Sequence, residues 1–82
     1  MSTVKERVIK IVAEQLGVKE EEVNVDKALV GDLGADDEDL YALESALEEE
    51  FEIEFGEYDS HKMGTVQGAV HLVEYHRARR QD

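Results

Sequence analysis

Val4, Val8, Ile11, Val12 and Leu16 recur three and four positions apart, the spacing that gathers side chains on one side of a helix. The pattern predicts a helix over Val4 to Leu16. Thr3 and Glu6 fit a capping box ahead of it, and Gly17 fits a left-handed stop behind it. Residues 18–35 lose that period and keep only scattered valines, Leu29, Leu33 and two glycines, so they read as an extended loop. A loop of this length in a small domain is often functional. Val23, Leu29, Val30 and Leu33 are its expected anchors to the core.

Periodicity returns from Asp37 to Phe51. Leu40, Leu43, Leu47 and Phe51 form the inward stripe, with Ala46 beside it, while Tyr41, Ser45, Glu48, Glu49 and Glu52 fall on more exposed sides. Asp36 is a good N-cap, and Asp37, Glu38 and Asp39 occupy the first turn, where the helix dipole favours negative charge. Ile53, Phe55, Tyr58 and Met63 follow, punctuated by Gly56 and Gly64, with a short helical turn expected near residues 57–62. A last helix spans Thr65 to Arg79, with Val66, Ala69, Val70, Val73 and Tyr75 turned inward. Gly68 should weaken it by about 1 kcal/mol relative to alanine. No strand alternation competes, so the fold class is an all-α bundle of three main helices, one short helix and a long first loop. It forms a single domain over residues 1–82.

Composition narrows the functional classes. The net charge is −12, yet 41% of the residues are hydrophobic and periodically placed, which marks a folding chain rather than a disordered one. Thirteen acids lie from Asp32 to Asp59, and no Lys or Arg occurs between Lys27 and Lys62. Such a one-signed field attracts basic protein surfaces and repels nucleic acid and anionic membranes. Arg77, Arg79 and Arg80 form a short basic tail. The absence of cysteine excludes disulfides and thiolate metal sites. No apolar run reaches the roughly 18 residues of a membrane span, and no signal-peptide pattern precedes the first helix, so a cytoplasmic, soluble monomer is expected.

One stretch carries more than local structure. Asp32-Leu33-Gly34-Ala35-Asp36, followed by Asp37, closely resembles the attachment motif of acyl carrier proteins. Glu6-Arg7-Val8, Glu14-Gln15-Leu16-Gly17-Val18, Glu21-Glu22-Val23, Ala46-Leu47-Glu48-Glu49-Glu50-Phe51 and Thr65-Val66-Gln67 extend the likeness over nearly the whole chain. The resemblance implies the family's helical bundle and a role in acyl metabolism. It also implies that position 37 corresponds to the serine whose hydroxyl bears phosphopantetheine. Here that position holds Asp37, and Glu38 stands where leucine is expected. A carboxylate attacking the coenzyme A pyrophosphate would give an acyl phosphate, a mixed anhydride prone to hydrolysis. Phosphopantetheine is thus the cofactor the family implies, and Asp37 is not expected to attach it. Ser2, Ser45 and Ser60 lack the motif's setting and are not expected to replace the missing hydroxyl.

The resemblance also implies that partner enzymes touch the outer face of the second helix. Asp36, Asp37, Asp39, Tyr41, Ser45, Glu48 and Glu49 are the candidate contact residues. Ser45 stands where a hydrophobic contact is usual, Ala42 where an acid is usual, and Tyr41 is larger than the common aliphatic residue. The acids at 36–39 lack the alternate ligands, central glycine and distant glutamate of a calcium loop. His71 and His76 are five apart, which puts them on different helix faces, so no metal site is expected. No nucleophile, base and orienting partner come together in the sequence, and an enzyme is not expected. The leading expectation is a carrier-like domain without its prosthetic group, acting as an interaction or regulatory module in fatty-acid or polyketide metabolism. An ordinary carrier of fatty-acid biosynthesis whose serine was replaced remains the alternative. An acidic mimic of nucleic acid is a more distant one.

Overall fold

A computed structural model describes residues 3–56 and 59–79, the side chains of Ser60 and His61 excepted. Three helices dominate: α1 over Val4–Leu16, α2 over Asp37–Phe51 and α3 over Val66–Arg79. Short 3-10 turns occupy Glu20–Glu22 and Asp59–Lys62. The fold is the all-helical bundle expected, with no strand among the described residues; the turn expected over 57–62 lies in part outside them.

The helix ends follow from side chains that satisfy otherwise unpaired backbone groups. Thr3 Oγ1 accepts from the Glu6 amide at 3.1 Å, and Glu6 Oε1 accepts in return from the Thr3 amide at 2.9 Å. Gly17 closes α1 with φ 69°, in the left-handed region that glycine enters without a Cβ penalty. The end of α2 adopts the same conformation with a non-glycine residue, Glu52, at φ 57°.

Val8, Val12, Leu29, Leu43, Leu47, Val66 and Val73 are completely buried, so all three helices and the first loop contribute to one core. Each such aliphatic side chain contributes about 1.5–3 kcal/mol of burial. Of the expected loop anchors, Val23 and Leu29 are buried and Leu33 is half-buried, whereas Val30 is 57% exposed and anchors nothing. The loop is fastened by its backbone as well. The α3 amides of Val66 and Gln67 donate to the carbonyls of Lys27 and Val25 at 3.0 and 2.8 Å, and the Leu29 amide donates to the Gly64 carbonyl at 3.0 Å. An isolated antiparallel bridge between Ala28 and Thr65 marks the same seam. The loop thereby caps the amides that open α3.

Two expectations about α3 are corrected. Tyr75 is 55% exposed, while Leu72 is buried. At 100° per residue, the stripe through Val66, Ala69, Val70 and Val73 continues onto His76 and Arg77, and Tyr75 lies outside it. Gly68 is a packing requirement rather than a weakness, because a Cβ there would lie 2.6 Å from the Lys62 carbonyl oxygen. Its amide also donates to Thr65 Oγ1 at 3.0 Å, which caps the helix.

Arg7 links α1 to the far end of α2. Its Nη2 and Nε lie 2.8 and 3.1 Å from Glu50 Oε2, and Nη2 also donates to the Glu50 carbonyl at 3.3 Å. The guanidinium lies 4.4 Å from the Phe51 ring centroid. One planar cation thus engages a carboxylate, a C-terminal carbonyl and an aromatic face together.

Candidate functional site

The first turn of α2 is built by carboxylates that bond to backbone. Asp39 N–H donates to Asp36 Oδ1 at 2.8 Å, and Asp36 N–H donates to Asp39 Oδ2 at 3.1 Å. This reciprocal capping box uses an acid at both places and leaves Asp37 and Glu38 pointing into solvent. The turn is reached through a loop that Asp32 folds back on itself: its Oδ2 accepts from the Ala28 amide at 2.8 Å. The Ala28 carbonyl accepts in turn from the amides of Asp32 and Leu33, each at 3.0 Å. Gly34 makes the bend at φ 75°. Its successor Ala35 is buried and donates to the Leu29 carbonyl at 2.9 Å. Asp32, Gly34, Ala35, Asp36 and Asp39 therefore each have a folding role. No side chain from Asp36 to Asp39 is a hydroxyl.

Along the outer side of α2, Asp37, Tyr41, Ser45 and Glu49 follow at intervals of four, and all four are exposed. They make one gently winding ridge. Tyr41 is 74% exposed, and Ala42 beside it is also open to solvent. Asp36 and Asp39 stand at the head of the ridge but are engaged in the capping box. Glu48 departs from its expected exposure. It is half-buried, and its Oε2 accepts from the Phe55 amide at 2.8 Å, which ties α2 to the connector that follows it. Behind it lies Glu44, whose carboxyl is pushed up from its ordinary value by burial, then by the negative charges of Glu48 and Asp59.

A further constellation had no local signal in the sequence. Asp59 is the one buried charged residue among those described. Its Oδ2 accepts from the Gly56 amide at 2.7 Å and lies 2.6 Å from His76 Nε2, and Lys62 Nζ stands 4.0 Å from Oδ1. Burial pushes the carboxyl up. The Gly56 amide, the His76 bond and charge, and Lys62 outweigh that and hold it below the usual value. Asp59 and His76 are 17 positions apart, so no helical spacing could have paired them. Among the described residues, no group of three or more His, Cys, Asp or Glu could hold a metal ion. No described helix is long and apolar enough to cross a membrane.

A three-helix bundle with a long first loop, delivering an Asp-Leu-Gly-Ala-Asp turn to the start of its second helix, has the architecture of a small carrier domain. Residues 6–73 match the family model described as a phosphopantetheine attachment site. The chain belongs to that family, whose members are acyl-carrier-like domains that normally bear phosphopantetheine.

Proposed function

We propose that this domain keeps the carrier fold without carrying the prosthetic arm, and acts as a docking or regulatory module for enzymes of acyl metabolism in the cytoplasm. The observation that supports the reading is the first turn of α2, where Asp37 is exposed and no hydroxyl is present; the resemblance of the motif assigns this position to the attachment serine. Phosphopantetheine does not fit this donor set. Its stable linkage is an ester between phosphorus and an alcohol oxygen, and a carboxylate offers only an anhydride. Asp37 also meets the anionic coenzyme with like charge. What the helix offers instead is the ridge of Asp37, Tyr41, Ser45 and Glu49. Acids on such a ridge raise the rate of encounter with a basic partner surface, and an exposed tyrosine supplies contact area once docked. Glu48, Asp36 and Asp39 support the ridge and contribute charge, although their strongest bonds are internal. The module works as a monomer and has no catalytic residues of its own.

Incubation with coenzyme A and a broad-specificity phosphopantetheinyl transferase, followed by intact-mass measurement, tests this directly. The mass should stay unchanged, and a gain equal to the phosphopantetheine arm sinks the proposal. A second reading, an ordinary carrier disabled at one residue, draws support from the loop geometry: Asp32, Gly34 and the capping box keep their places around position 37. Asp37→Ser, alone and with Glu38→Leu, separates the two. Efficient modification of the single variant favours the disabled carrier. Modification of neither points to a surface that has diverged further.

A further inference from the structure

The two flanks of α2 differ in what they meet. The flank toward the connector is occupied from within, because Glu48 is half-buried and holds the Phe55 amide. The flank toward α1 is open. There Ala46 and Glu49 face Ile11, Glu14 and Gln15 across a hollow of about 310 Å³. Ala42 lies one turn before Ala46 on the same side and is exposed, as is Ser45. Ala42 and Ser45 are the positions at which the resemblance leads one to expect an acid and a hydrophobic side chain. Both residues present are small, so another backbone can approach α2 closely here.

The hollow has an apolar floor and acidic banks. Ile11 is buried at its base, and Ala46 is half-buried beside it. Glu14 on α1 and Glu49 on α2 are exposed on opposite banks, and neither enters an ion pair among the described residues. Arg7, one turn before Ile11, is already engaged by Glu50, and the pair closes that end. No Lys or Arg occurs in α2. From Ala42 to Glu49 the groove follows α2 for about 10 Å, or two helical turns. Its floor and banks complement a short helix that carries an apolar stripe with cations on both sides of it.

We propose that the groove between α1 and α2 receives such a cationic amphipathic helix from the partner protein. The inference rests on the docking reading and deepens it, since it names the chemistry of the partner and moves the footprint from the crest of α2 to its α1 side. The partner's apolar stripe lies on Ile11 and Ala46, and its lysines or arginines meet Glu14 and Glu49. Tyr41 stands at the end of the groove away from Arg7.

A synthetic helix of about 14 residues of leucine and lysine, with every leucine on one face, is the probe; its control has the same composition with leucines distributed around the helix. Both are titrated into the intact domain, labelled for methyl NMR, at about 0.15 M ionic strength, where distant exposed charges are screened. The amphipathic peptide should shift the Ile11 and Ala46 methyl signals and leave that of Ala78 on α3 unmoved. Burial of one methylene group is worth about fourfold in affinity, so this peptide should bind tighter than the control by about that factor or more. Glu14→Gln combined with Glu49→Gln should weaken binding about fivefold, the combined worth of two exposed ion pairs. Glu54→Gln combined with Glu74→Gln removes as many charges outside the groove and should change affinity by less than about twofold. No saturable binding, equal affinities of the two peptides, equal losses for the two double variants, or methyl shifts that follow protein concentration without peptide, the mark of a second copy in the groove, would each overturn the proposal. A larger loss for Asp37→Asn than for the Glu14 and Glu49 pair overturns the groove but keeps docking on α2. The intact-mass measurement tests the docking reading separately.

Discussion

Replacing Asp36 by alanine separates the folding role of the motif from its chemistry. The substitution removes the acceptor of the Asp39 amide, a 2.8 Å bond at the N-cap, while Asp39 can still accept from the amide of residue 36. Loss of an Asp cap costs about 1 kcal/mol, within a range of roughly 0.5–2. The lost favourable interaction with the helix dipole is worth about 0.3–1 kcal/mol. Relief of repulsion from Asp37, Glu38 and Asp39 offsets part of it. The net expectation stays near 1 kcal/mol, which for a domain of this size lowers Tm by about 4–8 °C. Asp37→Ala is the control. Among the described residues its carboxylate has no hydrogen-bond partner, and alanine is the better helix former, so stability should change by less than about 0.5 kcal/mol. Urea unfolding followed by circular dichroism, at about 0.15 M ionic strength to screen surface charge, gives both values if the slopes agree. Equal losses for the two variants, or a larger one for Asp37→Ala, would refute the assignment of structural work to Asp36 and none to Asp37.

Gly68→Ala should destabilise α3 despite alanine's higher helix propensity, because the new Cβ meets the Lys62 carbonyl at 2.6 Å; a raised Tm would contradict that packing. Arg7→Ala should cost about 1 kcal/mol through the exposed ion pair and the stacking on Phe51, and Arg7→Lys should recover only part because an ammonium cannot fork. Chemical denaturation measures both. Acid titration of stability should show two opposite slopes. Glu44 has its folded carboxyl raised, so its ionisation costs stability above that raised value, and acidification through it restores the loss. Asp59 has its folded carboxyl lowered, so its contribution is present above the ordinary carboxylate value and disappears as pH falls through the lower folded one. A stability maximum in mild acid should result, flattened on its alkaline side by Glu44→Gln. A maximum unmoved by that substitution would count against the burial of Glu44.

The first two helices were legible because each carries its own punctuation. Thr3 with Glu6, Gly17, and Asp36 with three following acids mark ends that period alone leaves loose. The inward face of α3 was harder. A large aromatic at position 75 looked like core, but the helical angle runs the buried arc through His76 and Arg77, and Arg77 lies over the Phe51 ring at 5.6 Å. Val30 failed for a related reason: a loop has no period, so its hydrophobicity could not say which way it points. Glu48 and Asp59 were invisible as structural residues because their partners, Phe55 and His76, are set by tertiary placement rather than spacing. Of the candidate contact residues, the sequence placed Asp37, Tyr41, Ser45 and Glu49 on the exposed side of α2. It marked Asp36 as the N-cap, but gave no sign that Asp39 and Glu48 also hold backbone amides.

The attachment motif has two separable parts in this chain. Asp32 folds the loop, Gly34 makes its positive-φ bend, Ala35 fills the core, and Asp36 with Asp39 starts α2. None of these tasks uses the side chain at position 37. The fold therefore engages Asp32, Gly34, Ala35, Asp36 and Asp39, and leaves the side chains of Asp37 and Glu38 exposed. An acid there is also favoured locally, since the first turn of a helix accommodates negative charge. A match to the family over residues 6–73 is for that reason compatible with an acid at the solvent-facing position 37, which none of those bonds uses.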